Sequence, residues 1–382
     1  MEPTEILEIA AKDEDSKNQF KRQIDSWDSL TAEIVAFANS GGGNIYVGIV
    51  DKIGEIVGVT RNHQREINER LSSVTGDKVR PAIMVATEII EVVEKMVFVI
   101  KVPDGVAKPY MTNKGEIWVK NGADKRRANS REEIQRMFQS AGLLHGDEVP
   151  VTGMTVAELD DKYFADFFEK CFEEDLDTQD LGNQQILENM NVMKNQEFNV
   201  AGALLFTKKP QTKLPVFMIK AVAYPGNDIH EDSYIESLDI DGKLSEMFST
   251  SLSFLLRQLR RNQNDKNVNS EGDLEIPKVA LEEILANALI HRDYFISAPI
   301  RIFVFDNRIE IISPGHLPNN LTVEHIKSGN SNIRNPILAS YGTKLLPYRG
   351  LGNGIRRALK AYPKIHFEDN FAGNLFKVTF ER

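Results

Sequence analysis

Between residues 349 and 357 the chain reads Arg-Gly-Leu-Gly-Asn-Gly-Ile-Arg-Arg, with Gly350, Gly352 and Gly354 at alternate positions directly ahead of a helix-forming stretch, 355–361. Of all the local patterns, this one most restricts the fold. Alternating glycines let backbone N–H groups approach phosphates closely, and the start of a helix favours anions. A dinucleotide-binding βαβ unit would need a strand leading into such a loop, and no βαβ unit precedes this one. The loop therefore belongs to another architecture, defined by the segments it folds against.

Two upstream segments qualify. A helix over 277–291, with a tolerated proline at its start, carries Glu283 and Asn287 four residues apart on one face, while Leu281, Ile284, Leu285, Ala288 and Leu289 cover the other side. An amide oxygen is a hard ligand suited to Mg²⁺, and a carboxylate one turn away can orient a water. The same spacing also arises on ordinary helix surfaces. Next, 300–305 and 308–312 flank Asp306-Asn307 as a hairpin. It runs into Ser313-Pro314-Gly315-His316-Leu317, where the chain must turn sharply. Residues 328–336, rich in Gly, Asn and Ser, read as a mobile loop between the two glycine segments.

In this order, E-x-x-x-N on a helix, a hairpin ending in Pro-Gly, and G-x-G-x-G before a helix resemble the N-box, G1 and G2 boxes of GHKL (Bergerat-fold) ATPases. More closely, ALEEILANALIHRDY, IEIISPGHLP, IRNPILA and RGLGNGIRRALK resemble the C-terminal region of bacterial proteins described as RecG-like helicases or transcriptional regulators, over roughly 200–382. The resemblance implies a Bergerat-like α/β sandwich that binds ATP and Mg²⁺. Asn287 would be the metal ligand and Glu283 the water-activating group. Ser313, Gly315, Gly350, Gly352 and Gly354 would line the nucleotide. One departure stands out: Ser313 replaces the aspartate that accepts from the adenine amino group. A neutral acceptor is weaker by about 1 kcal/mol, which puts adenine selectivity and turnover in question. His291 is open between a capping role and a phosphate contact. No G-x-x-x-x-G-K-[ST] loop is present, so helicase motor activity is not expected.

Toward the N-terminus a helix over 28–39 runs into Ser40-Gly41-Gly42-Gly43-Asn44, and strands over 45–50 and 55–59 follow as an expected hairpin. A helix over 62–74, strands over 96–102 and 116–120, and a helix over 130–141 with a Ser130/Glu133 capping box complete the region. With Gln19-Phe20-Lys21, Lys108-Pro109-Tyr110 and Arg126-Arg127-Ala128, the pattern resembles the Schlafen/AlbA-type DNA-binding domain over about 13–140. Lys21, Arg22, Lys120, Lys125, Arg126 and Arg127 are candidate phosphate contacts. Tyr110 and Trp118 are candidate stacking faces, with core packing the alternative for Trp118. Backbone recognition is expected, since no base-reading helix is apparent. Some Schlafen relatives cut RNA with three carboxylates. The matching positions here are Glu14, Gln19 and Asp51, and the loss of one carboxylate weakens cation binding, so nuclease activity is not expected.

Composition sets the outer bounds. The 382 residues are 41% apolar with a net charge of -10, and Cys171 is the single cysteine, which excludes an intrachain disulfide. No apolar run spans a bilayer, and the acidic N-terminal stretch is not a secretory signal, so a cytoplasmic location is expected. Residues 108–136 hold eight Lys/Arg against four Asp/Glu, and 158–180 hold ten Asp/Glu against two Lys/Arg. The expected organisation is α+β: a nucleic-acid-binding domain over 1–142, a mainly helical connector over 143–200 beginning in a linker (142–155), and a RecG-like region over 201–382 with its motifs in 277–382. Strands over 201–206 and 216–223 are expected to pair, followed by a helix over 244–261, an Asn-rich loop over 262–272 and a last strand over 375–380. The expected function is a DNA-binding transcriptional regulator, with RNA the alternative target, in which a nucleotide switch acts within a homo-oligomer. A weak ATPase or Schlafen-like nuclease and a nucleotide-free dimerisation scaffold are the competing readings.

Overall fold

A computed structural model describes residues 2–229, 233–262, 272–318 and 321–382. The chain forms two compact units, Met1–Leu144 and His145–Arg382.

The first unit is built on strands β1 (Asn18–Lys21), β2 (Gly43–Val47), β3 (Ala86–Val92) and β4 (Lys95–Val102) in the order β1-β2-β4-β3. β2 runs parallel to β1 and antiparallel to β4. Side chains alternate along β4, so each face has its own core. Val97 and Val99 join Ile6 and Ala10 of α1 (Pro3–Lys12). Phe98 and Ile100 join Leu30, Ile34 and Phe37 of α2 (Trp27–Asn39), with Ile67 and Leu71 of α3 (Arg61–Ser73). A ribbon of β5 (Trp118–Asn121) and β6 (Asp124–Arg127) packs on α2. The helix α4 (Arg131–Ser140) starts at Ser130, whose Oγ accepts from Glu133 N–H. Only that half of the expected capping box forms, because the Glu133 carboxylate takes both Arg126 amino groups instead, at 2.9 and 2.7 Å.

The expected hairpin over 45–59 shrinks to a single bridge, Ile49 to Ile56. Gly48, at φ +106°, turns the chain out of the strand, and its carbonyl receives both Val57 and Gly58 N–H. The true partners of β2 are non-local, and one of them, β1, carries no strong strand pattern of its own.

In the second unit, strands β7 (Ile219–Ala223), β8 (Glu236–Ile240), β9 (Ile300–Val304), β10 (Arg308–Pro314), β11 (Ile365–Asn370) and β12 (Leu375–Glu381) form one sheet in the order β8-β7-β9-β10-β12-β11. All neighbours are antiparallel except β7 and β9. On β7 and β9 the residues Ile219, Ala221, Ala223, Ile300, Ile302 and Val304 are buried while Lys220 and Arg301 are exposed, so the sheet turns one face to a helical layer. That layer holds α5 (Asp161–Phe172), α6 (Val200–Phe206), α7 (Leu244–Gln258), α8 (Lys278–His291), α9 (Pro336–Leu345) and α10 (Gly354–Ala361).

The segment expected as a strand over 201–206 is α6. Asn199 Oδ1 caps it at Gly202 N–H, 2.8 Å away, and every residue of α6 is buried, so no alternation separates helix from strand. β7 therefore pairs with β8 and β9 instead. Residues from Val151 onward share the sheet's core: the Phe164 and Phe206 ring centroids lie 5.2 Å apart, and those of Phe167 and Tyr341 5.8 Å. Within the stretch expected as a linker, Asp147 is fully buried; its Oδ2 accepts from Ile337 and Leu338 N–H at 2.8 and 2.9 Å, capping α9. The Asn-rich loop expected over 262–272 lies almost wholly outside the described residues. No helix among them is long and apolar enough to cross a membrane.

Candidate functional site

Helix α8 is buried nearly all round, packed between α7 and α10 and against β10. The polar pair Glu283 and Asn287 meets the start of α10. A Cβ on Gly354 would lie 2.6 Å from Glu283 Oε2 and 3.1 Å from Asn287 Nδ2, so a larger residue there would have to displace the Glu283 carboxylate. Gly352, at φ +69°, stands equally close to the loop before α9: its Cβ would lie 2.6 Å from the Gly329 carbonyl oxygen.

These contacts border a cavity of about 550 Å³. Glu283 and Asn287 line it from α8, Ser313 and Gly315 from the end of β10, and Gly350, Gly352 and Gly354 from the glycine loop. The structure thus brings together the C-terminal residues singled out in the sequence. Asn330, Ser331 and Asn332 come from the loop between the two glycine segments, and Ile311, Phe367, Phe376 and Val378 supply an apolar wall. One side suits a flat apolar ring, the other a charged tail.

The charge is lopsided. Among the described residues the lining carries Arg334, Arg349, Arg356, Arg357 and Lys360 against one carboxylate, Glu283. The Glu283 side chain is 4% exposed and pairs with Arg357 Nη2 at 2.6 Å. Burial raises its pKa, and Arg357 pulls it back in part. Asn287 Nδ2 donates to Glu283 O at 2.7 Å, leaving Oδ1 as the atom the amide can offer a ligand. Ser313 Oγ donates to Ala288 O at 3.2 Å, so its lone pairs remain the acceptors.

Arg334 and Tyr348 line the cavity without a role assigned from sequence, beside His291, which was left open. The Arg334 guanidinium donates to the His316 carbonyl at 2.7 Å, and burial pushes its pKa down. His291 Nε2 lies 3.1 Å from the Tyr348 hydroxyl. Burial, helped by Arg334, pushes the His291 pKa down to about 4, so near neutral pH it is an uncharged wall rather than a cationic phosphate contact. Neighbouring Arg292 is structural: it donates to Ile296 and Ala298 carbonyls at 3.1 and 2.5 Å and lies against the Phe217 and Tyr294 rings. Asn335 closes the end of α8 by donating to the Ile290 and Arg292 carbonyls, both at 2.8 Å.

In the first unit the six candidate cations separate. Lys120 must be withdrawn: its side chain is 1% exposed and donates to Glu33 at 3.0 Å and Gln19 at 2.9 Å, with the Phe37 ring 4.8 Å away. Lys125 shares the buried Glu33 at 2.8 Å. Arg126 pairs with Glu133, and Arg127 with Glu116 while lying over the Trp118 ring. Lys21 is half-buried, which pushes its ammonium pKa down; Arg22 is exposed. Tyr110 is buried, its backbone held by Asn39 at 2.8 and 2.9 Å, so it packs rather than offering a stacking face. Glu14, Gln19 and Asp51 do converge. Glu14 Oε1 accepts from Gln19 and, at 2.6 Å, from Phe20 N–H. Burial and the facing Asp51 push the Glu14 pKa up to about 7, against the pull of those donors.

Comparison with known proteins divides the chain in the same order as these two sites. Residues 14–129 match the family described as Schlafen, AlbA_2, and residues 297–380 match the one described as putative ATP-dependent DNA helicase recG C-terminal. No curated protein matches. Among solved structures, the DIP2311 protein from Corynebacterium diphtheriae is 22% identical, with 99% of this chain and 80% of that one covered at a TM-score of 0.49. The N-terminal domain of a putative ATP-dependent DNA helicase RecG-related protein from Nitrosomonas europaea is also 22% identical, over 34% of this chain and 96% of that one at a TM-score of 0.26.

Proposed function

From a chain that carries a Schlafen AlbA_2 domain and a RecG-type C-terminal domain, we propose a nucleic-acid-binding regulator whose second unit binds a purine nucleoside triphosphate, ATP with Mg²⁺, as a switch. The observation that carries this reading is the cavity between α8 and the glycine loop, apolar on one side and lined by five Lys/Arg and one carboxylate on the other. The donor set fits Mg²⁺ arriving with phosphates. Among the described residues no cluster of three His, Cys, Asp or Glu could hold a metal alone, and Mg²⁺ normally takes one or two protein oxygens with the rest from water and phosphate. Asn287 Oδ1 would be that protein oxygen. Bound Mg²⁺ would neutralise phosphate charge, and Asn287 would fix the phosphates beside Glu283.

Thermal melting tests this. Mg-ATP at a hundred times Kd should stabilise the second unit by about 2.7 kcal/mol, and Asn287→Ala should remove most of that gain. Ser313 supports a second reading, a dimerisation scaffold without nucleotide, because its neutral hydroxyl, although its lone pairs are free while it donates to Ala288 O, is a weaker acceptor than the carboxylate it replaces. A melting point unmoved by any nucleotide would favour that scaffold. The regulated target is proposed to be DNA, with RNA as the alternative, and the working state a homo-oligomer.

A further inference from the structure

We propose that Arg357 reads the terminal phosphate of the nucleotide: its guanidinium passes between Glu283 and that phosphate, so that phosphate binding releases the carboxylate to orient a water. The inference rests on the nucleotide reading above and adds a residue and a coupling to it.

Three observations converge on Arg357 rather than its neighbours. Arg357 alone among the lining cations forms an ion pair with Glu283, at 2.6 Å among the described residues. Arg356 packs along Gly329 instead, its Cδ 3.3 Å from where a Cβ on that glycine would be. Second, the pairing leaves the guanidinium incompletely used. Arg357 Nε is buried with no hydrogen-bond partner among the described residues, whereas the planar five-donor fork of arginine matches the several oxygens of a phosphate. Third, the first turn of α10 holds Arg356 and Arg357 and no acid. Two cations at the positive end of a helix are unfavourable unless an anion lies close.

Glu283 supplies that anion now. Its Oε2 sits 2.6 Å from the position of a Cβ on Gly354, the first residue of α10. One carboxylate therefore neutralises both the helix start and Arg357. A terminal phosphate has more charge and more acceptor oxygens, and the glycine loop that would hold it leads into the same turn. The two anions compete for one guanidinium. When the phosphate wins, Glu283 is left as a buried carboxylate without its ion-pair partner, its oxygens free to accept from a water.

The competition fixes opposite signs for two variants. Binding of the β,γ-imido analogue of ATP and of ADP, each with Mg²⁺, is measured by calorimetry on the full-length protein. Arg357→Gln should weaken the triphosphate analogue about tenfold and ADP far less. Glu283→Gln should tighten the analogue, because Arg357 loses its competing partner, and affect ADP less. Arg357→Lys, which keeps the charge but not the fork, should fall between wild type and Arg357→Gln, and it serves if the glutamine variant does not fold. If Glu283→Gln and Arg357→Gln both weaken the analogue, or act equally on the two nucleotides, the pair is only structural and the proposal is overturned while nucleotide binding stands. Wild-type protein that binds neither nucleotide overturns the proposal together with the reading beneath it.

Discussion

Glu14 shows how much one proton can matter. Burial and Asp51 together raise its pKa to about 7 from the ordinary 4.5, because two close carboxyls cannot both ionise cheaply. The folded first unit therefore holds that proton more tightly than the unfolded chain does. The stabilisation is fully present below pH 4.5 and is lost as pH rises through 7. His291 in the second unit has the opposite sign. Its pKa is lowered from 6.5 to about 4, so its contribution is present above pH 6.5 and lost as pH falls toward 4. The two effects can be separated, since both tryptophans, Trp27 and Trp118, lie in the first unit. Tryptophan-detected melting should fall from pH 5 to pH 8. Glu14→Gln keeps the acceptor contacts and can donate to Asp51. It should flatten that profile and melt about 4 °C higher at pH 8, on the order of 1 kcal/mol after solvent screening of a half-buried group. Parallel profiles for the two proteins would count against a shared proton.

At the scale of elements, the three alternating glycines are not equivalent. Gly350→Ala meets only ordinary contacts at 3.6 and 3.8 Å and suffers only its φ of +66°, a cost of about 1 kcal/mol. Gly352→Ala adds a collision with the Gly329 carbonyl, so it should cost about 2–3 kcal/mol. Denaturant melts that rank the two alike would show that the loop before α9 does not pack as described. The glycine spacing and the Glu283/Asn287 pair were legible because each rests on a requirement local in sequence: a small residue or one helical turn. Helix α8 and the β9–β10 hairpin were legible for the same reason. Helix α6 was not, since uniform burial leaves no period, and β1 was not, since its strand partner is non-local. Arg334 and Arg357 were quoted without a role, because the location of an arginine's counter-charge is a tertiary fact. Lys120 was misread for that reason: its partner Glu33 lies 87 positions away.

For the whole molecule, a net charge of -10 means that the proposed nucleic-acid binding would have to come from a local patch working against the overall field. Much of that patch is already paired. Arg126 and Arg127 must leave Glu133 and Glu116 to reach phosphate, which is affordable because exposed pairs contribute at most about 1 kcal/mol. Binding to a short duplex should therefore be weak and steeply salt-dependent. Arg127→Ala should flatten the slope of log K against log salt by about 0.9, one phosphate contact. Lys120→Ala should leave the slope unchanged and instead lower the melting temperature, since it takes from a buried carboxylate one of its two lysine partners, the buried one. Equal slopes for wild type and Arg127→Ala would remove Arg127 from the interface.

The parallel pairing of β7 with β9 has a consequence for dissection and exchange of parts. The recognisable C-terminal family segment begins at residue 297, two strands inside the sheet. A piece excised there would retain both glycine turns but forfeit α8, and with it Glu283 and Asn287. It would also turn β9 from an interior strand into a bare edge, with a row of unsatisfied N–H and C=O groups inviting aggregation. The stretch that can be recognised is thus shorter than the stretch that is self-sufficient. A graft of this pocket onto another protein has to carry the chain from about residue 145, where Asp147 first ties into α9.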